Sequence, residues 1–190
     1  MKRLFALLSL AATLVACGGR APEPKSRTSA VLQEQSPIPE GFTGTRTNYY
    51  PGGQVESTTE FVDGVLCGLV TGYYENGVVR YQYTERNGKR EGPMTVYYRD
   101  GAIRLKYDYI EGTATGDIYS YYPNGQTQSE VIIGNTLERS DVTFYYENGI
   151  VSEKYSLING HPDGEYVSYF KDGTVRRRVL YRKGVILKER

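Results

Sequence analysis

An aromatic pair returns every 24 residues along this chain, at Tyr49-Tyr50, Tyr73-Tyr74, Tyr97-Tyr98, Tyr121-Tyr122, Tyr145-Tyr146 and Tyr169-Phe170. Five residues before each pair stand Gly44, Gly68, Gly92, Gly116, Ser140 and Gly164. One residue after each pair comes a turn dipeptide: Gly52-Gly53, Asn76-Gly77, Asp100-Gly101, Asn124-Gly125, Asn148-Gly149 and Asp172-Gly173. A second glycine recurs at Gly64, Gly88, Gly112, Gly160 and Gly184; the fourth copy has Thr136 there, so Gly134-Asn135 is expected to turn the chain differently. A fixed period without insertions means that one supersecondary unit is stacked repeatedly, each copy covering its neighbour.

The unit is a β-hairpin. Tyr is abundant (19 residues) beside 22 Gly, a balance that favours pleated strands and many turns. Asn-Gly and Asp-Gly after the aromatic pair are expected to form type I′ turns, which need positive φ at both central residues. In the third copy this register sets Tyr98 opposite Ile103, Tyr97 opposite Arg104 and Val96 opposite Leu105. One face then carries Met94, Val96, Tyr98, Ile103, Leu105, Tyr107 and Tyr109; the other carries Thr95, Tyr97, Arg104, Lys106 and Asp108. The fold expected is all-β: six 24-residue hairpins, starting near residues 44, 68, 92, 116, 140 and 164, in one elongated, twisted antiparallel sheet of about twelve strands.

The alternation divides the aromatic pairs. Tyr50, Tyr74, Tyr98, Tyr122, Tyr146 and Phe170 are expected on the apolar face. Tyr49, Tyr73, Tyr97, Tyr121, Tyr145 and Tyr169 are expected on the polar face, as a ladder with a rung every ~9.6 Å running ~50 Å. Tyr offers rigid contact area plus a hydroxyl, so the ladder is a candidate partner-binding surface. Arg80, Arg104 and Arg176 recur between rungs and are expected to stack on Tyr as cation–π pairs.

Residues 1–16 have the pattern of an export signal. Lys2 and Arg3 precede an apolar run from Leu4 to Leu14 that is too short to span a bilayer, which takes ~20 apolar residues. The run ends in Leu14-Val15-Ala16-Cys17, which resembles the bacterial lipobox. That resemblance implies cleavage before Cys17 and acylation of Cys17, several chains giving a stable anchor. Gly18, rather than Asp, at the next position favours the outer membrane, facing the periplasm or the cell surface. Residues 17–40, with Pro22, Pro24, Pro37 and Pro39 among polar residues, are expected to be a flexible linker to a repeat domain at 41–190.

The Tyr-Tyr-x-x-Gly core with a second downstream glycine resembles the MORN repeat in its bacterial variant form, over about Gly44 to Leu187. Bacterial proteins of this kind are commonly called YwqK-family antitoxins of toxin–antitoxin systems. The resemblance implies an elongated, twisted antiparallel sheet and no particular reaction.

Other chemistry finds little footing in the residues. The sole histidine, His161, sits in a connector and cannot form a metal site alone, and no Ser or Cys has a recognisable activating partner. We therefore expect no enzyme activity, cofactor or metal. Cys67 is expected to be a partly buried structural thiol. Without the leader's two cations the chain carries 21 Lys+Arg against 22 Asp+Glu, which gives no electrostatic case for nucleic acid. Arg176, Arg177, Arg178, Arg182, Lys183, Lys188 and Arg190 make the last copy basic, a device that protects a terminal sheet edge or meets an acidic surface. Three functions remain: a protein-binding module, with a toxin as one partner; an envelope scaffold; or a carbohydrate- or lipid-binding surface. Self-association is compatible with a single-layer sheet.

Overall fold

Alternating side chains and closely spaced turns produce a sheet with no helix among the described residues, 37–133 and 138–189 of a computed structural model. Residues 1–16, Cys17, most of the linker and the Gly134-Asn135 turn lie outside the described residues. The strands are β1 (Gly44–Tyr49), β2 (Val55–Val62), β3 (Val65–Tyr73), β4 (Val79–Arg86), β5 (Lys89–Tyr97), β6 (Ile103–Ile110) and β7 (Thr113–Tyr121). They continue as β8 (Thr127–Ile133), β9 (Arg139–Tyr145), β10 (Val151–Ile158), β11 (His161–Pro162), β12 (Gly164–Tyr169), β13 (Val175–Arg182) and β14 (Val185–Glu189). All pair antiparallel in chain order in one open sheet; β11 and β12 both pair with β10 and together fill one strand position. Six hairpins account for twelve positions. The thirteenth is β14, whose residues repeat the register of Val65–Leu69 in β3.

Two kinds of turn alternate, and the type I′ turns are not the ones after the aromatic pairs, where they were expected. At Asp63-Gly64, Asn87-Gly88, Glu111-Gly112, Asn159-Gly160 and Lys183-Gly184 the first residue has φ between 49° and 53°, and each flanking glycine recorded has φ between 77° and 82° or, at Gly88, 70°. Val62 then faces Val65 and Arg86 faces Lys89, so these are the two-residue type I′ hairpins. After the aromatic pairs only the glycine has positive φ, as at Gly101 (91°). There Gly101 N–H donates to Tyr98 O (3.1 Å) and Tyr98 N–H donates to Ala102 O (2.8 Å). This is a type I turn closed by a left-handed glycine, a three-residue loop. The Asp100 carboxylate fixes it by accepting Ala102 N–H at 2.9 Å, and Asn76, Asn124, Asn148 and Asp172 repeat that bond.

The longer loop moves the register by one residue at its mouth. Tyr97 faces Ile103 rather than Arg104, and Arg104 is the extra residue of a bulge that closes at Val96 opposite Leu105. From there the expected faces hold. Val96–Leu105 and Met94–Tyr107 share one face, Thr95–Lys106 and Pro93–Asp108 the other.

A second bulge sits at the glycine column. Glu60 alone spans the gap opposite Cys67, Gly68 and Leu69, leaving two extra residues in β3; the same happens opposite Tyr83 and Tyr107. Two extra residues preserve the side-chain alternation while bending the strand. Gly68 takes φ 135°, and a side chain there would collide with Glu60. Where Ser140 replaces glycine, β8 and β9 pair regularly from Val131–Val142 through Ile133–Ser140.

A single layer buries little. Val70, Val96, Val142 and Val179 are buried on the apolar face, under aromatic residues: Val70 faces Tyr83, Val96 faces Tyr81, Val142 faces Tyr155 and Val179 faces Tyr166. Ring pairs extend along this face, Tyr107–Tyr109 at 5.3 Å and Tyr155–Tyr166 at 5.9 Å among them. Val167 and Thr71 are the buried residues of the polar face.

Candidate functional site

The six polar-face tyrosines end equivalent strands, and each takes the same register. Tyr49 faces Val55, Tyr73 Val79, Tyr97 Ile103, Tyr121 Thr127, Tyr145 Val151 and Tyr169 Val175. All six are half-buried. Two residues earlier on the same face comes Thr47, Thr71, Thr95, Tyr119, Thr143 or Val167, which sets a mostly hydroxyl-bearing row beside the rings. Tyr145 OH donates to Glu130 Oε2 (2.8 Å), and Tyr97 OH makes a long contact with Gln82 Oε1 (3.4 Å). Burial, followed by the Glu130 carboxylate, holds Tyr145 above the ordinary tyrosine range. Tyr49, Tyr73, Tyr121 and Tyr169 make no hydroxyl hydrogen bond among the described residues.

Two shallow, open depressions lie beside this ladder. One is lined by Thr95, Lys106, Asp117 and Tyr121, the other by Thr143, Lys154, Glu165 and Val167. Thr95 and Thr143, Lys106 and Lys154, and Asp117 and Glu165 are each two repeats apart, so the same mixed-charge relief recurs along the face.

The arginines are placed differently from the expectation. Arg80 lies over its neighbour Tyr81 (5.1 Å) and Arg176 over Phe170 (5.8 Å), while exposed Arg104 makes no cation–π contact among the described residues. All three are bulge residues, and the bulge removes them from the cross-strand position opposite a ladder Tyr. The ladder's recorded cation is Lys154, over Tyr169 at 5.8 Å. His161 is exposed and Cys67 half-buried.

The second aromatic of each pair does something the alternation does not foretell. It sits at the first position of the turn, and its hydroxyl reaches the next hairpin. Tyr50, Tyr74, Tyr98, Tyr122 and Tyr146 donate to the main-chain carbonyls of Tyr73, Tyr97, Tyr121, Tyr145 and Tyr169, at 2.7–2.8 Å. The Tyr121 carbonyl needs such a donor, because pairing of β7 with β6 stops at Ser120. Asn76 and Asn148 add side-chain bonds to Arg99 O and Lys171 O across the same step. On the opposite margin the type I′ tips repeat the device: Gly64 N–H donates to Phe42 O (2.7 Å), Gly112 to Arg90 O (3.0 Å) and Gly184 to Pro162 O (2.8 Å). Hairpins are thus fastened to one another along both margins, by five tyrosine bonds on one and three glycine bonds on the other among the described residues. The signal in sequence was the hydroxyl itself, kept in five copies and absent only at Phe170, which is half exposed.

Arg90 sits among the rings of the apolar face. Arg90 lies over Tyr83 (4.7 Å) and Tyr109 (5.3 Å) and donates to Tyr109 OH (2.9 Å), with Glu85 at 3.9 Å. Burial, then the Tyr109 hydroxyl, pushes Tyr107 up to about 12. The positions equivalent to Arg90 are Phe42, Leu66, Ala114, Glu138, Pro162 and Ile186, so this cluster is particular to the third copy.

Four segments of the chain match the family model described as MORN repeat variant: residues 42–63, 66–84, 114–132 and 162–183. Each spans one hairpin around the turn after the aromatic pair. The two unmatched hairpins, β5–β6 and β9–β10, have the same register at Tyr97 and Tyr145. The matches support a MORN-repeat protein, and with it a repeat-based binding module. No curated protein matches the chain.

Proposed function

We propose that the protein is a non-enzymatic protein-binding module, tethered to the cell envelope through a lipid on Cys17, with the polar-face tyrosine ladder as its contact surface. One observation carries this reading: six register-equivalent rings line one face, and four of their hydroxyls are free of protein partners among the described residues. Half-buried Tyr is rigid, so contact costs little side-chain entropy, while its hydroxyl can bond a partner's backbone. The mixed relief around Lys106 and Lys154 adds charge of both signs, which suits a folded protein better than a uniformly anionic polymer. The likeness to YwqK-family antitoxins makes immunity against an envelope-acting toxin the first partner class to examine.

The test is capture of the Cys17-anchored protein from its own membranes, beside a variant with Tyr73, Tyr97, Tyr121 and Tyr145 changed to Ser. Circular dichroism confirms that both fold. One protein retained by the native form and lost from the variant is the expected result. Equal retention by both forms would make the ladder structural and the protein an envelope scaffold.

A further inference from the structure

The two ends of the array differ. At β1 the segment before the strand caps the sheet: Phe42 packs on Phe61 (6.0 Å), its N–H donates to Pro39 O (3.1 Å), and its carbonyl accepts Gly64 N–H. Every residue of β1 is at least half-buried. At β14 every residue is exposed, with Val185 at 63%, Ile186 at 50% and Leu187 at 53%. Phe170, Val175 and Leu180 on the preceding hairpin are exposed too, so six of the ten exposed large apolar residues among the described residues gather at this end. A strand added beside β14 would cover part of the apolar surface of Val185, Ile186 and Leu187.

The main chain of β14 is set for such a strand. Ile186 is the register equivalent of Phe42, Arg90 and Pro162, whose carbonyls each accept a glycine N–H from the next hairpin. The Ile186 carbonyl occupies that acceptor position.

Charge selects what can add. Arg182, Lys183 and Lys188 are exposed and belong to no ion pair among the described residues. Of the nearby carboxylates, Glu189 pairs with Arg177 (2.7 Å) and Glu165 with Arg178 (3.0 Å), while Asp163 accepts the Lys183 main-chain N–H (2.9 Å). Pairing with a second copy would bring two such cationic edges together, and like charges across a strand pair are unfavourable.

We propose that the outer edge of β14 accepts an added β-strand from an acidic segment of another protein. The segment alternates apolar residues, beside Ile186, with Asp or Glu on the face that carries Arg182 and Lys188. Main-chain bonds would supply affinity and the cations the choice of partner. This site is separate from the tyrosine ladder and does not depend on it.

Two labelled peptides test it on the full chain, one alternating Val with Glu and one alternating Val with Lys, by fluorescence anisotropy and amide hydrogen exchange. The acidic peptide should bind at least about tenfold tighter, weaken as salt rises, and slow exchange at Ile186–Glu189. The variant Arg182→Glu, Lys183→Glu, Lys188→Glu should reverse the preference, its fold checked by circular dichroism. Absence of binding, equal binding of both peptides, or protection confined to strands other than β14 would overturn the proposal. So would a concentration-dependent dimer of the native chain that protects β14.

Discussion

Removing one hydroxyl at Tyr98 should weaken the whole array, although the ring stays in place. In Tyr98→Phe the 2.7 Å bond to Tyr121 O is lost, and a part-buried carbonyl that β6 cannot reach is left without a donor. A net hydrogen bond of this kind is worth ~1 kcal/mol, within a range of about 0.5–1.5. For an array of this size that is a fall in Tm of about 2–4 °C. Changing all five hydroxyl donors to Phe should cost roughly 5 kcal/mol if the steps are independent, because successive bonds lie about 10 Å apart along the array. Urea unfolding followed by circular dichroism would measure this, with Tyr97→Phe as the control, since its hydroxyl has only the long Gln82 contact. If Tyr98→Phe costs no more than Tyr97→Phe, the hydroxyl is not a fastening and the reasoning fails.

Other outcomes follow from the same geometry. Gly68→Ala should cost on the order of 1–3 kcal/mol, because φ 135° and Glu60 both exclude a side chain, while Ser140→Ala in the regular fourth copy should stay within about 0.5 kcal/mol; urea midpoints distinguish them. Val142→Ala, at a 1% exposed site, should cost roughly 2 kcal/mol by the same assay, and Val185→Ala, at 63%, less than about 0.5. Tyr107 is held protonated in the fold up to about 12 but ionises near 10 when unfolded. Its stabilisation is therefore complete below pH ~10 and lost as pH rises from there towards 12, so alkaline unfolding should be shallower in Tyr107→Phe, with tyrosinate absorbance as the monitor.

The period, the hairpin and the assignment of Val96, Leu105, Met94 and Tyr107 to one face were all legible, because side-chain alternation and turn spacing are local properties. The turn types were not. Asn-Gly occurs at both turns of two copies, at Asn76-Gly77 and Asn87-Gly88 and at Asn148-Gly149 and Asn159-Gly160, and that dipeptide suits both a type I′ turn and a type I turn with a left-handed glycine. What decides is whether the flanking strands meet two or three residues apart, and that depends on the bulges. The same one-residue shift displaced Arg80, Arg104 and Arg176 from the ladder. The role of Tyr98 depends on a carbonyl 23 residues away, in another hairpin, so no local pattern could show it. Phe170 had fitted the apolar face equally well.

The binding reading stands or falls on which face a partner meets. A photo-crosslinking amino acid placed singly at positions 97 and 121 on the polar face, and at 83 and 107 on the apolar face, would show this on the anchored protein in its own membranes. Adducts with one protein from positions 97 and 121, and none from 83 and 107, are the expected result. Adducts from the apolar face alone, or equally from both faces, would contradict the tyrosine ladder as the contact surface.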